Sequence, residues 1–149
     1  GIMKGTFVLH SNMWYDTSIH GTHLNKLVGF STDFFNKNSV RLAWRPAPMK
    51  GQFEIYAYIH LGGKWVRSAR LRHDLILIAQ ADVMYSWLLD PEVSTVQGNN
   101  ARLEVGTSAV ERAYDVIVGS GWFRQFYYGG VPLAPWTMSC EITVENYLI

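Results

Sequence analysis

At 149 residues the chain has room for one ordinary domain and not for two independently folded ones. A composition of 48% hydrophobic and 17% charged residues excludes a disordered or purely solvating segment, because it supplies ample apolar surface for a core. Thirteen basic against twelve acidic residues leave a formal charge of +1, without the basic excess expected of a nucleic-acid-binding surface, and a single cysteine, Cys140, excludes an internal disulfide.

The chain opens with Gly1 and Ile2 ahead of Met3; these two read as residues added before a native start, and no charged region followed by an apolar one marks a secretion signal. His20-Gly-Thr-His23, with His10 and Asp16 nearby, combines residue types that ligate metals, although histidines in a polar loop more commonly serve separately. Asp16, Asp33 and Asp90 are too scattered for a calcium signature, so no metal or cofactor is expected. Period-two alternation is clearest from Ser39 to His60. Val40, Leu42 and Trp44 alternate with Arg41, Ala43 and Arg45; after Pro46-Ala-Pro48 and Lys50-Gly51, Phe53, Ile55, Ala57 and Ile59 alternate with Glu54, Tyr56, Tyr58 and His60. This pattern predicts a hairpin with one apolar face.

Gly62-Gly63 then turns the chain into a half-solvated strand over Lys64–Arg72. Leu75–Ala79 and Val83–Leu89 read as further strands, the second ended by Asp90-Pro91. Gln97-Gly98-Asn99-Asn100 predicts a turn, with strands at Ala101–Val105, Tyr114–Val118, Trp122–Tyr128 and Ser139–Val144. Thr107–Ala113 is expected to be a loop. No apolar run approaches the ~20 residues of a membrane-spanning helix, so a soluble chain is expected. Ten or so short strands without βαβ alternation predict an all-β sandwich or barrel rather than an α/β sheet. Cys140 shares a parity with Met138, Ile142 and Val144 and is expected in the core; Ser120 in Gly-Ser-Gly reads as a turn rather than a nucleophile.

Three segments in order carry a resemblance: Asn25-Lys-Leu-Val-Gly29, then Ser39-Val-Arg-Leu-Ala-Trp-Arg45 running into Glu54-Ile-Tyr-Ala-Tyr58, and Phe126-Tyr-Tyr-Gly-Gly130 followed by Ala134-Pro135. Together they resemble the concanavalin-like jelly rolls, in the compact branch that includes polysaccharide lyases. The resemblance implies a jelly-roll β-sandwich whose second sheet face is a glycan groove. That face would carry Arg41, Arg45, Tyr56, Tyr58 and His60, an aromatic and cationic floor suited to sugar rings and, through bidentate arginine, to uronate or sulfate groups. The same residues also suit a solvated sheet face stabilised by cross-strand pairs.

The resemblance further implies a catalytic version, β-elimination from a uronate, with Arg41 neutralising the carboxylate, His60 as base, Tyr58 or Tyr127 as proton donor and Gln125 as a further carboxylate contact. The chain leaves little length for loops walling a deep cleft, so a shallow open face is expected. Non-enzymatic, lectin-like glycan binding is therefore favoured. A compact lyase and a structural or adhesion protein of a virion or cell surface remain as alternatives, with homo-oligomerisation open and no nucleic-acid partner expected.

Overall fold

The structure is a computed structural model and describes residues 2–31, 38–61, 64–65, 74–114, 122–124 and 134–147. In chain order its strands are β1 (Met3–Leu9), β2 (Asn25–Ser31), β3 (Ser39–Pro46), β4 (Gln52–Leu61), β5 (Lys64–Trp65), β6 (Leu75–Gln80), β7 (Met84–Thr95), β8 (Gly98–Val105), β9 (Ser108–Ala113), β10 (Trp122–Arg124) and β11 (Cys140–Tyr147). A 3-10 turn at Ser11–Met13 and one α-helical turn, α1 (Thr17–His20), lie between β1 and β2.

The strands form two antiparallel sheets. One has the order β11-β1-β7-β8-β9; the other runs β10-β2-β3-β4-β5, with β6 also paired to β4. Phe7, Leu89 and Leu103 of the first sheet share a buried cluster with Leu42, Trp44 and Ile55 of the second, which makes the fold an all-β two-sheet sandwich. The predicted hairpin is β3–β4: Val40, Leu42 and Trp44 stand opposite Ile59, Ala57 and Ile55 and point into that core.

Several strand expectations are corrected. β7 continues through Asp90-Pro91, because a register shift between Asp90 and Val93 takes the proline off the ladder, where its missing N–H would leave a gap. Asn99 secures the bulge by donating from Nδ2 to the Pro91 carbonyl at 2.7 Å, and the Glu92 N–H is met by Asp90 Oδ1 at 3.0 Å. The expected loop at Thr107–Ala113 contains strand β9. Val105 pairs with Ser108 across a two-residue turn whose first central residue, Gly106, has φ +60°, the geometry that glycine supplies in tight hairpins. β9 showed little alternation because it lies at the end of the sheet order and buries only Val110 well. The strand expected at Lys64–Arg72 is described only at β5, and those expected at Tyr114–Val118 and Trp122–Tyr128 only at buried Tyr114 and at β10; the rest of each lies outside the described residues.

Neither β1 nor α1 was among the sequence expectations. β1 is a central strand, and Gly5 at an inward position breaks its alternation; a Cβ there would collide with the Thr143 carbonyl of β11. α1 begins at Asp16, whose carboxylate accepts from the Ser18 N–H at 2.9 Å, and ends at Gly21 with φ +101°. No helix among the described residues is long and apolar enough to cross a membrane.

Candidate functional site

The hairpin register gathers the expected residues. Arg41 pairs with Tyr58, Ala43 with Tyr56, Arg45 with Glu54 and Ser39 with His60, so Arg41, Arg45, Tyr56, Tyr58 and His60 share the face turned away from the core. Parity was therefore read correctly, but the expectation of an open floor is corrected. Arg41 is 3% exposed, Glu54 4% and Tyr56 0%, while Tyr58 and His60 are half-buried. Leu24, from the loop before β2, packs with Ala43 and Tyr56 in a second small apolar cluster, against which Leu75 and Tyr58 also rest. The physical reason is long-range: segments distant in sequence cover this face, and alternation within a hairpin carries no information about them.

One end of the face is a closed polar network. Arg45 donates from Nε to Glu54 Oε1 at 2.6 Å and from Nη2 to the Tyr56 hydroxyl at 3.0 Å; that hydroxyl donates to the same Glu54 oxygen at 2.9 Å. Arg45 Nη1 reaches the Thr22 carbonyl at 3.0 Å and pins the loop that carries Leu24. The guanidinium also lies 5.2 Å from the Tyr56 ring centroid. With its three guanidinium nitrogens bonded to Glu54, Tyr56 and the Thr22 carbonyl, Arg45 ties the sheet and the loop together.

The other end concentrates positive charge. Lys26 Nζ sits 4.6 Å and the Arg41 guanidinium 5.1 Å from the centroid of Tyr58, and the His60 ring lies 4.8 Å from the same ring. Lys26, within the Asn25–Gly29 segment of β2, was not foreseen as a site residue. A register shift between Lys26 and Val28 sends Leu27, Val28 and Phe30 all to the core and leaves Lys26 and Gly29 on the outer face, opposite Ala43 and Arg41. A lysine flanked by asparagine and leucine ahead of a Leu-Val pair is the one local hint of that bulge.

Burial, and secondarily the neighbouring Arg41, lowers the Lys26 pKa from 10.5 to about 8. Below about 8 the ammonium is charged in both folded and unfolded chains and its full penalty on stability is present; between about 8 and 10.5 the unfolded chain binds more protons, so stability rises with pH. Lys26→Met is accordingly expected to stabilise the fold at pH 7, with an advantage over the parent that shrinks as pH is raised through that window. Urea unfolding at a series of pH values measures this, and a difference that does not change with pH refutes it.

Other candidates disperse. His20 packs edge-on against Tyr15 at 5.9 Å and His23 stacks on Tyr15 at 6.5 Å, while His10 lies between Asp82 at 3.1 Å and Glu141 at 3.0 Å. Asp16, whose carboxyl is held below its ordinary range by the Ser18 hydrogen bonds, serves α1. Among the described residues no three His, Cys, Asp or Glu side chains are arranged to hold a metal ion. Cys140 packs against the core as expected, and burial followed by the adjacent Glu141 pushes its thiol up to about 11, away from nucleophile chemistry. Gln125, Tyr127, Asp33 and Ser120 lie outside the described residues.

A cavity of about 340 Å³ occupies the other sheet, lined by Lys4, Thr6, Ser86, Leu88, Glu104 and Glu145. Two carboxylates beside one lysine give it the wrong sign for an acidic ligand. Charge and aromatic surface therefore coincide at Lys26, Arg41, Tyr58 and His60. Compared with protein-family models, with curated proteins and with solved structures, the chain gives no match.

Proposed function

We propose that this β-sandwich is a non-enzymatic glycan-binding module, of jelly-roll connectivity, that takes an acidic sugar at the Tyr58–His60 surface. The observation that carries this reading is the placement of two cations, Lys26 and Arg41, on one tyrosine ring. Like charges brought together under burial oppose folding, and such arrangements are characteristic of functional sites. The half-buried rings of Tyr58 and His60 offer the contact surface. Lys26 and Arg41 beside that surface supply a field favouring a uronate carboxylate or a sulfate over a neutral sugar. A chain of net charge +1 has little general attraction for polyanions, so this selectivity would be local.

Titration calorimetry with a uronate tetrasaccharide and a neutral tetrasaccharide tests the reading. Wild type is expected to prefer the acidic chain, and Tyr58→Ala to lose binding. Arg41→Met is expected to weaken the acidic ligand by about tenfold or more, the loss of one charge-assisted contact, and to leave the neutral one unchanged. Equal affinity for both chains, or none for either, sinks the proposal. Growth of absorbance from an unsaturated product would replace it with the lyase alternative. Silence towards glycans with a stable oligomer by light scattering would favour a structural or adhesion role.

A further inference from the structure

Trp136 stands apart from the other tryptophans whose exposure is described, with 45% of its surface exposed while Trp44 and Trp87 are buried. Its polar handle is already used: the indole Nε1 donates to the Asn12 carbonyl at 2.6 Å. Asn12 is in turn clipped to the same segment as Trp136, since the Ser139 N–H donates to Asn12 Oδ1 at 3.1 Å and Asn12 Nδ2 donates to Ser139 Oγ at 3.1 Å. The His20 ring meets the indole edge-on at 5.7 Å and 89°, and His20 itself rests edge-on against the fully buried Tyr15. An exposed indole held in this way keeps one orientation and presents apolar aromatic surface beside the hydrogen-bonded Asn12–Ser139 pair.

That combination matches a pyranose ring, which has an apolar C–H face to stack and hydroxyls at its rim to hydrogen-bond. Holding the indole in advance removes ordering entropy that a mobile side chain would lose on binding. One short segment, from Thr17 to Leu24, joins Trp136 to the outer face of the hairpin: His20 supports the indole, Thr22 accepts from Arg45, and Leu24 belongs to the small cluster against which Tyr58 rests. We infer that Trp136, supported by His20, Asn12 and Ser139, is a second sugar-stacking subsite that extends the Tyr58–His60 site along a longer glycan chain. This inference rests on the glycan reading above.

A two-subsite surface binds long chains more tightly than short ones, because the second contact forms at high effective concentration. The test titrates a uronate disaccharide and a uronate octasaccharide of the same repeat into the full chain, with tryptophan fluorescence as a second readout. Wild type is expected to bind the octasaccharide at least about tenfold more tightly than the disaccharide, with a change in emission. Trp136→Ala is expected to reduce octasaccharide affinity to the disaccharide level while leaving the disaccharide unaffected, and Trp136→Phe to retain most of the difference. If Trp136→Ala preserves the full dependence on length, the second subsite is overturned and the Tyr58–His60 site stands. If wild type binds neither chain, the glycan reading itself falls and this inference with it. If Trp136→Ala abolishes a self-association seen by light scattering and leaves sugar affinities untouched, the indole is a protein contact and the inference is wrong.

Discussion

Glu54→Ala is expected to lower the unfolding free energy by about 3–5 kcal/mol, read as a fall in the urea midpoint at unchanged slope. Glu54 is 4% exposed, and one of its oxygens receives both Arg45 Nε at 2.6 Å and the Tyr56 hydroxyl at 2.9 Å. Removing the carboxylate leaves the Arg45 guanidinium, its side chain 18% exposed, without its acidic partner in a poorly solvated place. The large effect belongs to the stranded charge rather than to the attraction itself. The double variant Glu54→Ala with Arg45→Met should therefore recover a substantial part of the loss, since replacing a buried pair by apolar groups is often close to neutral. If the double variant is as unstable as the sum of the two single ones, the network acts through shape alone. Tyr56→Phe, which keeps the ring in its apolar cluster and removes one hydroxyl, should cost only about 1 kcal/mol.

The second large effect is expected at Gly29. In β2 this residue stands opposite Arg41, and an added Cβ would collide with the Val40 carbonyl oxygen and lie within 2.6 Å of Arg41 Cα. Neither group is a flexible side-chain end that can swing aside, so the strands themselves must part. Gly29→Ala should destabilise the sandwich by about 1–3 kcal/mol or more, as overpacking of a filled interior does. It should also displace the Arg41 stem, which packs across the glycine. On the functional proposal, the variant loses its preference for acidic over neutral glycan even at temperatures where it stays folded. A folded Gly29→Ala protein with unchanged stability and unchanged preference would show that the two strands have slack.

How much of this could be read from the residues depends on the distance over which each fact is decided. The β3–β4 hairpin was legible because its two strands are neighbours in sequence and one alternation sets both register and face. The five grouped side chains followed directly. Their burial was not legible, because Leu24 and Leu75 come from outside the hairpin and nothing within the Ser39–His60 pattern marks them as its cover. Lys26 was hidden by a bulge, which reverses the inside–outside parity on either side of one extra residue. β1 and β9 were missed for a related reason: a glycine forced by a neighbouring strand, and an edge position, each erase the alternation that would identify a strand. The Asp90-Pro91 break failed in the opposite direction, since a proline that stops a regular strand is harmless inside a bulge. The aromatic contacts around Trp136 join residues from opposite ends of the chain, and no local spacing announces them.

β3 has one more consequence. All but one of its eight residues are buried, including those on both of its faces. A strand wet on one side offers every second position to neutral drift, so a protein can adjust its recognition there without touching its core. β3 has no such freedom, and each change at Arg41 or Ala43 is felt as a change in packing. On the functional proposal, variation in recognition would come mostly from the periphery: the half-buried end of β4 at Tyr58 and His60, the loop from Thr17 to Leu24, and the ledge at Trp136. The center of the molecule works as a fixed frame, and selection for new partners would act at its rim.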